Sequence, residues 1–75
     1  MEPVAFVIII QDRHADTDAE VWSDEQRAIV RARLLAKTYC RHPEDYEEKQ
    51  IADWVFHASY SCECDSVTVL RKKIQ

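Results

Sequence analysis

Apolar positions along this chain follow two different periods. From Val4 to Gln11 both alternating sets, Val4/Phe6/Ile8/Ile10 and Ala5/Val7/Ile9, are apolar and largely β-branched. That composition predicts a strand that wants cover on both faces. The polar segment 12–18 predicts a turn, and Ala19 to Trp22 a short second strand closing a hairpin with the first. The period then becomes helical: at about 100° per residue, Ala28, Ile29, Ala32, Leu35, Ala36, Tyr39 and Cys40 share one arc. Val30 and Leu34 interrupt the opposite, basic face, either as incidental exposed aliphatics or as part of a contact surface.

Ser23-Asp24-Glu25-Gln26 has the form of a capping box with Ser23 as N-cap, and its acids sit where the helix dipole favours them. Pro43 is expected to end the helix, because the residue before a proline avoids helical angles. From Pro43 to Ile51, a proline followed by acids predicts a short second helix or helical turn with Tyr46 and Ile51 inward. Trp54, Phe56, Ala58 and Tyr60 alternate with Val55, His57, Ser59 and Ser61, the pattern of a half-buried strand. Residues 62–65 then turn the chain into a final strand, Ser66 to Ile74, with Val67 and Val69 inward. The expected fold is α+β, a two-layer ββαββ domain whose antiparallel sheet carries one long helix on its aromatic face. The other face would hold Val7, Ile9, Val55 and Leu70, an apolar surface open to dimerisation or to a partner.

Seventy-five residues make one domain with a thin core, since a chain this short buries only about 60% of its unfolded surface. The chain is 47% hydrophobic and 32% charged, as in an ordered globular protein. The longest apolar run, Val4 to Ile10, is too short for a membrane span and follows Glu2 rather than lysines, so a cytoplasmic protein is expected. Glycine is absent. No Gly-rich phosphate loop can form, and turns must be built from Asp, Ser, Pro or strained residues.

Charge is sorted by segment. Residues 26–42 carry Arg27, Arg31, Arg33, Lys37 and Arg41 with no acid. Upstream lie Asp12, Asp16, Asp18, Glu20, Asp24 and Glu25, and downstream Glu44, Asp45, Glu47, Glu48 and Asp53. Patches of opposite sign steer encounters with charged partners. The net charge of −4 argues against a domain dedicated to nucleic acid, which is usually basic overall.

Catalytic and metal motifs are weak. Cys40, His42, Cys62 and Cys64 could supply zinc ligands, but one intervening residue within each pair is poor spacing for a structural site, and no metal or other cofactor is expected. The acids of 12–20 alternate like a calcium loop yet lack its glycine and its terminal bidentate acid. His14 has no nucleophile in an elbow motif, and His57 reads as a sheet-surface histidine. The three cysteines are expected to be free, Cys62 and Cys64 being too close in sequence for an easy bridge.

With the opening strand VAFVIII, the capped helix SDEQRAIVRARLLAK and the closing hairpin WVFHASYSCECDSVTVL, the chain resembles the small proteins of phages and mobile elements, in particular anti-CRISPR proteins. The resemblance is one of type and carries no residue over. It implies a non-enzymatic inhibitor or adaptor that binds a protein, such as a nucleic-acid-handling host complex. The expected contact surface is acidic: Asp12, Asp16, Asp18, Glu20, Glu44, Asp45, Glu47 and Glu48 would imitate a phosphate backbone in a basic groove. The alternative is a nucleic-acid-binding module using Arg27, Arg31, Arg33, Lys37 and Arg41.

Overall fold

The structure, a computed structural model, describes residues 3–13, 17–61 and 65–74. Strand β1 (Val4–Gln11) pairs with β2 (Asp18–Trp22), and helix α1 (Glu25–Tyr39) follows. A 3-10 turn at Pro43–Asp45 leads to a two-residue strand, β3 (Glu47–Glu48), and then to β4 (Phe56–Ser59) and β5 (Ser66–Lys73). The five strands form one antiparallel sheet in the order β2-β1-β5-β4-β3. The two-layer α+β architecture is therefore the one the periodicities predict, with one additional edge strand.

The core lies between the sheet and α1. Phe6, Ile8 and Ile10 of β1, Phe56 and Ala58 of β4, and Val67 and Val69 of β5 meet Ala28, Ala32, Leu35 and Ala36 of the helix. Ala28, Ala32 and Ala36 are completely buried, so the helix presents a strip of methyl groups and can approach the sheet closely. Each fully buried Ile or Val contributes about 1.5–3 kcal/mol relative to exposure. Strand β1 sits between β2 and β5, with Val7 opposite both Val21 and Leu70. Its doubly apolar character suits this central place. Only its inner face receives the helix, however, and among the described residues no helix or strand packs over its outer one.

Several local boundaries differ from those the sequence suggests. Asp24, not Ser23, is the N-cap: it is extended at φ −114° and ψ 124°, and its carboxylate accepts a hydrogen bond from the Arg27 amide at 2.9 Å. Both residue types cap well, but Asp24 also brings the negative charge that a helix N-terminus favours. The helix stops at Tyr39, ahead of Pro43. Cys40 is already extended while its amide still reaches the Ala36 carbonyl, and its thiol donates to the His42 carbonyl oxygen at 3.0 Å.

The acidic stretch after Pro43 makes one helical turn and then joins the sheet. Glu47 lies opposite Ser59 and Glu48 opposite Ala58. Tyr46 packs on the core as expected, whereas Ile51 is only half-buried and outside it. Trp54, expected inward, stays outside the core with its ring 5.6 Å from the imidazole of His57. Val55, expected on the outer face, packs against the core. Strand β4 begins only at Phe56, so the strict alternation does not extend back through these two residues.

Candidate functional site

Two arginines of α1 tie the helix to the two opposite edges of the sheet. Arg31 donates from Nε and Nη2 to the two carboxylate oxygens of Glu20 on β2, at 3.1 and 2.9 Å. The indole N–H of Trp22 donates to the same carboxylate at 3.1 Å. On the other side Arg33 donates from Nε and Nη2 to Glu48 on β3, at 2.8 and 3.1 Å. Its guanidinium lies 5.3 Å from the centre of the Phe56 ring, and the Tyr46 hydroxyl donates to Glu48 as well. Bidentate pairs of this kind fix geometry as well as charge.

The electrostatics follow from these contacts. The hydrogen bonds from Arg31 hold the Glu20 carboxyl below the ordinary glutamate range despite some desolvation, and those from Arg33 and Tyr46 do the same for Glu48. Each arginine is pushed up in turn, chiefly by its hydrogen bonds to the paired glutamate. Partial burial, then the hydrogen bond to Glu48, pushes the Tyr46 hydroxyl up to about 12.

Residues of the two charge classes therefore engage each other inside the molecule. Of the eight acids expected to form a contact surface, Glu20 and Glu48 are held by arginines, and Asp12 accepts a hydrogen bond from the buried Tyr60 hydroxyl at 2.7 Å. Asp18 accepts from the Ala19 amide. Glu47 lies 3.6 Å from the Lys49 ammonium, and Glu44 lies 4.0 Å from the His42 ring. Asp45 is half-buried in the 3-10 turn, and Asp16 lies outside the described residues. Asp18 and Glu20 belong to one edge of the sheet and Glu47 and Glu48 to the other, with the basic helix between them. The structure does not bring them together as one continuous surface.

Among the five basic residues, Arg31 and Arg33 are paired and Lys37 stacks over the Tyr46 ring at 5.6 Å. Arg27 and Arg41 are exposed and make no ion pair with the described residues.

The most exposed apolar feature of the helix is the ridge of Val30 and Leu34, 63% and 56% accessible. These residues are four apart and so lie one above the other on one face. With Trp22, Gln26, Arg27 and Arg31 they line a hollow of about 380 Å³ between the helix and β2. Of its two cations, Arg31 is paired with Glu20, leaving Arg27 as the one with no carboxylate of its own among the described residues. The signal for this site was present in the sequence as the two aliphatics that broke the helical pattern. The participation of Trp22 was not, because it depends on the hairpin returning beside the helix.

The remaining polar and titratable groups make local contacts. His57 shares a 2.9 Å hydrogen bond through Nδ1 with the Thr68 hydroxyl, and burial, then the nearby Lys49, lowers its pKa. Burial and the bond to Asp12 push the Tyr60 hydroxyl up. Asp65, almost fully buried, accepts from the Arg13 amide at 2.8 Å. Cys40 is a free thiol, while Cys62 and Cys64 lie outside the described residues, as does His14. Among the described residues no three His, Cys, Asp or Glu side chains are grouped as metal ligands, and no helix is long and apolar enough to cross a membrane. Comparison with known proteins finds no matching family model, no matching curated protein and no matching solved structure.

Proposed function

We propose that this chain is a non-enzymatic protein-binding domain, an inhibitor or adaptor, and that it meets its partner through the Val30–Leu34 ridge of α1. The observation that carries this is the exposure of both aliphatics over an apolar hollow on an otherwise charged helix. Burying such a ridge is favourable at about 25 cal/mol per Å² of apolar surface, and apolar anchors with cations at their rim are a usual interface composition. Arg27 gives the rim a positive character, so the fitting partner segment is apolar with acidic neighbours.

Nucleic-acid binding is supported less, since Arg31 and Arg33 already spend their guanidinium forks on Glu20 and Glu48. Phosphate would have to displace a bidentate carboxylate at each. Imitation of a phosphate backbone is also supported less, because the exposed acids stand on opposite edges of the sheet.

The test compares three tagged forms for the partner each retains from the lysate of its native host. The wild type, Val30→Ser/Leu34→Ser, and a form with Asp18, Glu44 and Glu47 reversed to lysine are run side by side. The ridge is the contact if one stoichiometric protein is retained by the wild type and the acid reversals but lost from the serine variant. Retention by the serine variant with loss from the acid reversals returns the function to the acidic edges. Recovery of nucleic acid by the wild type that a fourth form, Arg27→Gln/Arg41→Gln, no longer retains establishes the second class instead.

A further inference from the structure

The ridge occupies one side of the molecule, and the opposite side carries a second apolar surface of different character. Outward-facing residues alternate with core residues along every strand. Here the pairing registers set Val7 between Val21 and Leu70, and Ile9 between Ala19 and Thr68. A contiguous apolar row thus crosses β2, β1 and β5. Val21 is 72% accessible, the most exposed large aliphatic among the described residues.

We infer that this outer face binds a second copy of the chain, so that two sheets pack face to face through Val7, Ile9, Val21 and Leu70.

The choice of a second copy rests on charge. Charged residues make up 32% of the chain, yet of the outward strand positions only Lys72, at the far end of β5, and Glu47, on the edge strand β3, carry a fixed charge. In a two-fold dimer the same patch meets itself, so any charge near its centre would face its own kind. A neutral apolar centre meets that condition. Nucleic acid or an anionic headgroup surface would instead call for cations here, and the face has none at its centre.

The strand geometry also suits the pairing. Two such sheets can pack about 10 Å apart with strands roughly 30° from alignment. A two-fold axis lying in the interface and running across the strands reverses the strand direction, which places the two Lys72 residues at opposite ends. The apolar patch spans about three strand spacings of 4.8 Å by about six residues at 3.3 Å, roughly 300 Å² in plan. Two such faces together bury roughly 600 Å², below the range of stable specific interfaces and in that of weak, transient contacts, so association is expected in the high micromolar range or weaker. Dimerisation would leave the two helix ridges pointing outward on opposite sides. The inference does not depend on what those ridges bind.

Sedimentation equilibrium of the untagged protein, from about 10 μM to about 1 mM, spans the dissociation constants such an area allows. The wild type should shift from monomer to dimer mass. Val21→Lys, at an exposed position that the fold tolerates, should weaken association at least about tenfold by setting like charges against each other. Val21→Thr, nearly isosteric, serves as a second variant and should weaken it in the same direction by less. Leu34→Lys, on the ridge, should leave it unchanged. A wild type that stays monomeric across the range overturns the inference. So does a dimer that Leu34→Lys dissociates while Val21→Lys does not, which would place the interface on the helix, and so does a partner protein on the outer face of a monomer.

Discussion

Arg33 reaches from the middle of α1 over the Phe56 ring to Glu48 on the two-residue strand β3, donating at 2.8 and 3.1 Å to its two carboxylate oxygens. Strand β3 has only two residues in the ladder, and this side-chain clamp adds a contact from the helix to that edge. Its mirror on the other edge is the pair of Arg31 with Glu20 on β2. The helix is thereby fastened to both borders of the sheet beneath it.

A double-mutant cycle on Arg33→Met and Glu48→Gln measures the clamp. Both side chains are more than a third accessible, so solvent screening limits the coupling energy to at most about 1 kcal/mol, falling with added salt. Urea unfolding of the four proteins gives the value. Coupling indistinguishable from zero at low salt would show that β3 is held by its ladder alone.

Acid should loosen the same two clamps. Glu20 and Glu48 have folded pKa values lowered from the ordinary 4.5, first by hydrogen bonds from Arg31 and Arg33 respectively. The unfolded chain therefore binds more protons than the folded one in that range, and stability rises with pH there. The contribution is fully present above pH 4.5 and is lost as pH falls through the lowered folded values. Unfolding midpoints followed from neutral to acid pH should show a decline beginning there, and a shallower one in the double variant Glu20→Gln/Glu48→Gln. Identical profiles for the two proteins would assign the acid limb to other groups.

Ala52 occupies the left-handed region at φ 47°, in a turn closed by the Trp54 amide donating to the Ile51 carbonyl at 3.0 Å. A residue with a Cβ is strained there, and glycine is not. Replacement by glycine removes the strain but adds freedom to the unfolded chain. At a positive φ the first effect is the larger, so Ala52→Gly should stabilise the protein by up to about 1 kcal/mol. Thermal and urea unfolding of the single variant check this, with a lowered midpoint as the contrary result.

Elements with a strong, repeated pattern are legible in the sequence alone. The inner residues of β1, the alanine face of α1 and Val67/Val69 of β5 all stand where their periods put them. Short or irregular pieces are not legible in this way. Strand β3 has two glutamates and no alternation to reveal it, and it exists because the turn at Pro43–Asp45 delivers those residues beside β4. Trp54 and Val55 fall outside the expected alternation because β4 starts after them. The site is half legible: Val30 and Leu34 stand out against their basic neighbours, but nothing in sequence shows that Trp22 joins them.

The amino-acid sequence by itself determined the class of fold and the side of each main element that faces the core, because burial of apolar stripes at periods of two and 3.6 leaves few other solutions. The absence of glycine left turns to Asp, Ser, Pro or strained residues, and Ala52 is one of the strained kind. Charge was different. The sequence showed basic and acidic segments as separate blocks, which suggested free patches of both signs. Only the sheet order β2-β1-β5-β4-β3 decided that one acidic segment would lie at each edge and the basic helix between them. Ion pairing depends on distance in space rather than along the chain, so Arg31 with Glu20 and Arg33 with Glu48 could be assigned only after the tertiary fold had brought them within hydrogen-bonding reach.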